Sequence, residues 1–150
     1  MPRSVLAALV LCAGTLHAQS PLVGVWRLTY PAGSRIENGV PSLIMGTGTL
    51  RIEAHGDSLT GELVTDPMPD VPARPAARLT GVASTGPTLL TSRTAGTLTM
   101  NGEERPMTAI STWSLEVRGD SLVGTVARKL EGMPFGAQGP EPVRGVRHQQ

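Results

Sequence analysis

Two serines occur in a context that could support nucleophilic catalysis, since each follows a Gly-Asp pair. Ser58 and Ser121 both lie in the run Gly-Asp-Ser-Leu. A serine attacks an acyl group when a histidine accepts its proton and an acidic residue orients that histidine. After residue 18 the histidines are His55 and His148, and neither is spaced to complete such a set. The sequence therefore predicts no catalytic residue.

The run Gly-Asp-Ser-Leu resembles the motif of the GDSL esterases, whose serine lies on a strand-to-helix turn and whose later Asp-x-x-His completes the site. The resemblance implies esterase activity with Ser58 or Ser121 as the nucleophile. No Asp-x-x-His occurs in this chain. Both copies also lie where alternating apolar residues predict a hairpin turn. We therefore interpret both runs as turns.

Charge and cysteine usage exclude several other classes of site. Cys12 is the only cysteine, so a chain cleaved after Ala18 has no disulfide and no thiolate metal ligand. Without Arg3, the 13 basic residues become 12 and equal the 12 acidic ones. A net charge of zero does not favour nucleic acid or an anionic membrane. The sequence predicts no metal, no cofactor and no nucleic-acid partner.

The first residues resemble a secretory signal peptide. Arg3 is the charged region, Val5–Cys12 is the apolar region, and small residues continue to Ala18. We expect cleavage after Ala18, a mature start at Gln19 and a periplasmic or extracellular product. The alternative is a lipid anchor at Cys12. No later apolar run approaches the ~20 residues of a transmembrane helix.

The two Gly-Asp-Ser-Leu runs belong to a longer repeat that predicts two β-hairpins. Thr49–Val64 and Thr112–Ala127 both alternate apolar and polar residues on each side of the Gly-Asp pair. A glycine in first position suits a two-residue type II′ turn. This register puts the apolar residues of each hairpin on one face. The predicted inner pairs are Ile52–Gly61 and Leu115–Gly124.

Around these hairpins the pattern predicts an all-β domain over residues 19–150. The further predicted strands are Leu22–Tyr30, Ala77–Ser84, Thr88–Arg93, Pro106–Val117, Ser121–Lys129 and Val143–Arg147. The predicted loops are 31–46, 66–75 and 130–142. Eight short strands with short links predict an antiparallel up-and-down barrel, whose tight turns lie at one end and whose long loops lie at the other.

The beginning and end of the barrel resemble the lipocalin and calycin group. Gly24-Val25-Trp26 is similar to the Gly-x-Trp of their first strand, which lies at the closed end under a late arginine. The chain also resembles small secreted bacterial barrel domains of uncharacterised function. The matching runs are GVW at 24–26, GDSLTG at 56–61, GDSLVG at 119–124 and VRGVR at 143–147. The resemblance implies a structural plug of Gly24, Trp26 and Arg147, with Arg144 as the alternative arginine.

A ligand site, if the interior is not filled by side chains, falls at the end opposite the Gly-Asp turns. The inner residues predicted there are Tyr30, Leu50, Leu63 and Met107. No charged inner residue is evident, which favours a neutral apolar ligand over a fatty acid. We expect a monomeric, non-catalytic module that binds a small hydrophobic ligand or a partner surface. The alternative is a structural envelope barrel with a filled core, and an enzyme comes third.

Overall fold

The computed structural model describes residues 18–69, 71, 73–133 and 137–149. They form one closed barrel in which each of eight strands pairs antiparallel with the next and the last pairs with the first. The strands are β1 Gly24–Glu37, β2 Val40–His55, β3 Ser58–Thr65, β4 Ala77–Val82, β5 Thr88–Met100, β6 Glu103–Arg118, β7 Ser121–Leu130 and β8 Gln138–Arg147. The predicted fold class is confirmed. The predicted signal peptide lies outside the described residues except for Ala18.

The two repeated hairpins have the predicted register. Ile52 lies opposite Gly61 in the β2–β3 pair, and Leu115 lies opposite Gly124 in the β6–β7 pair. Gly56 and Gly119 begin their turns with φ of 63° and 64°. Among the described residues that are not glycine, only two asparagines have positive φ. A positive first residue followed by an aspartate of negative φ is the type II′ arrangement.

Gly124 allows β6 and β7 to approach more closely than a side chain would permit. A Cβ placed there would lie 1.9 Å from the carbonyl oxygen of Ser114, which is far inside van der Waals contact. Such close backbone approach is a common reason for a glycine within a strand. The glycine of the second hairpin is therefore required by packing as well as by the fold's curvature.

The predicted loop over 31–46 is wrong, because β1 and β2 continue through it as one long hairpin. Asn38 and Gly39 form its turn with φ of 52° and 78°, the left-handed pair that a type I′ turn requires. Beyond Thr29, β1 no longer pairs with β8. Pro31 therefore lies on an unpaired edge, where a missing N–H is tolerated, beside the register shift between Pro31 and Gly33.

The end of the barrel opposite the Gly-Asp turns carries a second long hairpin and an incompletely paired wall between β4 and β5. The β5–β6 hairpin turns at Asn101 and Gly102, whose φ angles are 53° and 80°. Of β4, only Thr80 and Gly81 pair with β5. The described pairing between β4 and β5 therefore does not continue toward the end opposite the Gly-Asp turns. β8 begins at Gln138, earlier than the predicted Val143.

The interior divides into a packed half and a hollow half. The packed half lies toward the Gly-Asp turns, which we name the closed end. There the inner side chains are almost fully buried: Trp26, Leu28, Leu50, Ile52, Leu59, Leu79, Leu90, Leu115, Leu122 and Val143. The opposite end carries the two Asn-Gly turns and the 66–76 and 131–137 links, and we name it the open end. No helix in the described part of the chain is long and apolar enough to cross a lipid bilayer.

Candidate functional site

The closed end is sealed by an arginine that lies on a buried tryptophan. The guanidinium carbon of Arg147 is 4.2 Å from the centroid of the Trp26 ring, and Trp26 is fully buried. The two residues lie directly opposite each other in the β1–β8 register. Arg144 lies opposite Thr29 and is exposed. The arginine over the ring is therefore Arg147 and not Arg144.

The segment before β1 is held across this end by the same two side chains. Trp26 Nε1 donates a hydrogen bond to the carbonyl oxygen of Leu22 at 2.8 Å. Arg147 donates to the carbonyl oxygens of Val23 at 3.2 Å and Pro21 at 3.1 Å. Leu22 is buried as part of the core. The segment thus closes the bottom of the barrel as a lid fixed by hydrogen bonds and packing.

Gly24 makes room for this contact. Its φ is 134°, and a Cβ there would lie 2.8 Å from Nη1 of Arg147. A side chain at this position would be strained and would displace the guanidinium. The same contact therefore explains both residues of Gly-x-Trp. Gly24 leaves space for the guanidinium of Arg147, and the ring of Trp26 binds it.

The open half contains a cavity of about 410 Å³. Residues from the barrel wall and from the end of the 66–76 link surround it. They are Tyr30, Ala32, Gly33, Leu63, Thr65, Arg74, Pro75, Ala76, Ala77, Ser92, Thr94, Ala109, Ser111, Arg128 and Gln138. The space is of the size that small ligands occupy in proteins, ~300–1,000 Å³. The barrel is therefore not filled by side chains up to its open end.

One wall of the cavity is a polar row that crosses four neighbouring strands. Ser92 of β5 lies opposite Ser111 of β6, Ser111 lies opposite Arg128 of β7, and Arg128 lies opposite Gln138 of β8. All four residues line the cavity. We name these four residues the polar row. It presents hydroxyl, amide and guanidinium groups side by side at one height of the barrel.

The facing wall is largely apolar and includes the only tyrosine. Leu63, Ala77 and Ala32 contribute apolar surface. The Tyr30 hydroxyl and Thr65 Oγ1 are hydrogen-bonded at 2.5 Å. Burial raises the pKa of the Tyr30 phenol above its ordinary value, while the hydrogen bond with Thr65 and the nearby arginines act in the opposite direction. Tyr30 is therefore a neutral hydrogen-bonding group at physiological pH.

One buried indole N–H in the core has no described partner. Trp113 lies one inner position deeper than Ser111 on β6 and packs edge-on against Tyr30, with 5.5 Å between ring centroids. Its Nε1 is buried and has no hydrogen-bond partner among the described residues, whereas buried donors are normally satisfied by protein or water. Trp113 belongs to the core and is not one of the residues that line the cavity.

Two arginines bring positive charge to the cavity. Arg128 follows Leu122, Gly124 and Val126 on the inner face of β7 and is half-buried. Arg74 reaches over β1, where its Nη1 donates to the carbonyl oxygen of Ala32. Burial lowers the pKa of the Arg128 guanidinium, and the positive charge of Arg74 lowers it further. The prediction that no charged residue faces the interior is wrong.

The four residues predicted as a ligand site do not all reach the cavity. Tyr30 and Leu63 line it. Leu50 is fully buried among the core residues beneath, and Met107 is half-buried farther along β6. The polar row and Arg74 were missed. The alternation of β7 could have revealed Arg128, whereas Arg74 lies in a proline-rich link with no periodic pattern.

The residues that could do catalytic or metal chemistry are not assembled. Ser58 and Ser121 are exposed at the starts of β3 and β7, and no hydrogen bond joins either hydroxyl to a histidine among the described residues. The described part of the chain also contains no group of three or more His, Cys, Asp or Glu residues that could hold a metal ion. Comparisons with models of known protein families, with curated proteins and with solved structures found no match.

Proposed function

We propose that this protein is a secreted or periplasmic, non-catalytic β-barrel module that binds a small, largely apolar ligand in its open-end cavity. The observation that supports this is the cavity itself, about 410 Å³ above a tightly packed lower half. A purely structural barrel has no need of a cavity in its open half, because an empty cavity lowers the stability of the fold. Barrel mouths are common ligand sites.

The plug at the other end supports the same function. Arg147 and Leu22 seal the closed end, and the open-end cavity lies on the side of the two long hairpins and the links between strands. The arrangement of Gly24, Trp26 and Arg147 is the one that the resemblance to the lipocalin and calycin group implies. A sealed bottom and an open mouth make a cup for a small molecule.

The lining supports binding over catalysis. Among the described residues that line the cavity, the ionisable groups are Tyr30, Arg74 and Arg128. None of them is a histidine or a carboxylate, the side chains that most often act as general acids and bases. General acid–base catalysis requires a group whose pKa lies near the working pH. The lining therefore offers binding and orientation.

The test is a titration with N-phenyl-1-naphthylamine, a neutral dye whose emission rises in an apolar site. The protein should bind it, and Ala109→Phe should weaken binding because the new ring fills the cavity from β6. The matched control is Ala95→Phe on the neighbouring strand, where the alanine is exposed and not part of the lining. This control should bind the dye as the unmodified protein does.

Two results would favour the alternative, a structural envelope barrel without a ligand. One is the absence of dye binding by the unmodified protein. The other is equal loss of binding in both variants, which would show that the dye does not enter the cavity. Native mass spectrometry of protein purified from its own host adds a direct readout, since a retained ligand appears as a mass difference.

A further inference from the structure

We infer that the ligand of the open-end cavity carries an anionic group, a carboxylate or a phosphate, which binds between Arg128 and Arg74. This inference rests on the proposed function, because it names the class of ligand for the same cavity. It replaces the neutral ligand that the sequence favours. The geometry that carries it is a pair of guanidinium groups lining one hollow.

Four arginines form ion pairs in the described part of the chain, and all four lie on the outer surface. Arg27, Arg93, Arg105 and Arg118 each pair with a carboxylate there. Arg74 and Arg128 have no such pair among the described residues. Arg51, Arg78, Arg144 and Arg147 also have no described carboxylate partner, but of these six arginines only Arg74 and Arg128 line the cavity.

The electrostatic surroundings of Arg128 are correspondingly unbalanced. The groups that act on its charge are Arg74, which opposes it, and Tyr30. A half-buried guanidinium that loses water without gaining a counter-ion is unfavourable. A ligand anion would supply the missing charge and accept hydrogen bonds from a donor that suits carboxylate and phosphate oxygens equally well.

The carboxylate that acts on the cavity residue Tyr30 is already engaged in an ion pair on the outer surface. Asp66 acts electrostatically on Tyr30, but both of its oxygens accept hydrogen bonds from Arg27 and one also accepts from Thr47 at 2.5 Å. The hydrogen bond from Arg27 lowers the pKa of Asp66, so its charge belongs to that outer pair. Asp66 therefore does not serve as the counter-ion of Arg128.

The rest of the lining fits an anion attached to an apolar body. Ser111 lies beside Arg128 along the polar row and can donate its hydroxyl hydrogen to the same anionic group, and Ser92 lies one strand farther along the row. Leu63 and Ala77 on the facing wall offer apolar contact.

The experiment compares two dyes that differ by one sulfonate, the anionic 8-anilino-1-naphthalenesulfonate and the neutral N-phenyl-1-naphthylamine. The sulfonate stands in for the carboxylate or phosphate. Arg128→Gln should weaken the anionic dye by roughly tenfold or more, as expected for the loss of a charged hydrogen bond. It should leave the neutral dye within about twofold, and Arg74→Gln should act in the same direction. Lys129→Gln is the matched control, because Lys129 is the next residue on β7 and is exposed.

Three outcomes separate the inference from the proposed function. Selective loss of the anionic dye in Arg128→Gln, with no change in Lys129→Gln, supports both. Binding of the neutral dye together with an unaltered affinity of Arg128→Gln for the anionic dye overturns the anion site and leaves the binding function. Failure of both dyes to bind the unmodified protein overturns both. Displacement of the bound anionic dye by decanoate or by decyl phosphate then distinguishes a carboxylate from a phosphate, with decanol as the uncharged comparison.

Discussion

Replacing Arg147 by alanine should lower the stability of the barrel by about 1.5–4 kcal/mol, and the parts of this figure follow from the closed-end geometry. The guanidinium stacks 4.2 Å from the Trp26 ring centroid, a cation–π contact that contributes roughly 0.5–2 kcal/mol according to its desolvation. Two hydrogen bonds to the carbonyl oxygens of Val23 and Pro21 are also lost. Each adds about 0.5–1 kcal/mol, because the partial exposure of Arg147 weakens a charged hydrogen bond.

The measurement is urea unfolding followed by tryptophan emission, with thermal unfolding as a second readout. For a chain of this size, 1 kcal/mol corresponds to roughly 3–5 °C of melting temperature. The melting temperature should therefore fall by about 5–20 °C in Arg147→Ala. The native emission spectrum should shift as well, since the cation leaves the face of Trp26. Arg147→Lys should give an intermediate loss, because lysine keeps the charge but not the planar fork.

Arg144→Ala is the control, because Arg144 is exposed three residues earlier on the same strand. A surface substitution of this kind should change stability by no more than about 0.5 kcal/mol. The reasoning is refuted if Arg147→Ala unfolds at the same urea concentration as the unmodified protein. It is also refuted if Arg144→Ala causes the larger loss, since the plug would then depend on the other arginine.

Three further predictions concern packing, protonation and export. Gly124→Ala should prevent folding or lower the free energy of unfolding by more than ~3 kcal/mol, because its Cβ would meet the Ser114 carbonyl oxygen at 1.9 Å. Gly96→Ala is the control, because a Cβ there has open space and the stability should hardly change. Urea unfolding measures both variants. Tyr30 is the only tyrosine, so phenolate absorbance should show its pKa above the ordinary value in the folded protein and not in urea. The unfolded chain then loses this proton first, and stability should decrease as pH rises above ~10. Export should yield a protein that begins at or near Gln19; sequencing that finds residues 1–18 retained, or a lipid on the cysteine within them, would contradict this.

The central hairpins could be predicted in detail because two independent signals agree there. Alternation fixes which residues face inward, and the Gly-Asp pair fixes where the chain reverses. Together they leave one register, which pairs Ile52 with Gly61 and Leu115 with Gly124 as observed. The eight-strand count followed, because each tight turn forces its two strands to be neighbours.

The β1–β2 hairpin was missed because its residues normally interrupt strands. Pro31, Gly33 and Pro41 occur within a few residues of one another, a composition that favours a loop. Pro31 and Gly33 are tolerated because this part of β1 extends past its pairing with β8, and Pro41 is tolerated because β2 pairs with β3 only from Gly48 onward. The signal that pointed the other way was Asn38-Gly39, whose preference for a type I′ turn requires paired strands on both sides.

Within the candidate site, too, the residue on a strand with an alternating pattern was predictable and the residue in an irregular link was not. Arg128 lies at the fourth inner position of β7, after Leu122, Gly124 and Val126, and the alternation that predicted the core residues extends to it. Arg74 lies in the 66–76 link, and its contact with the Ala32 carbonyl oxygen depends on the room that Gly33 leaves, where a Cβ would lie 3.1 Å from Nη2 of Arg74. No periodic pattern in the link predicts that contact.

The position of Arg128 is better explained by binding than by folding. The inner positions before it on β7 are Leu122, Gly124 and Val126, and the single cysteine of the sequence cannot form an internal disulfide to supplement this core. A half-buried guanidinium without a carboxylate partner among the described residues works against that core, because desolvation disfavours its charge. An apolar side chain at the same position would stabilise the empty barrel but would remove the positive charge from the cavity. A bound anion makes the arginine favourable at this position. It stabilises only the folded protein, and it offsets the free-energy cost of burying the charge of Arg128.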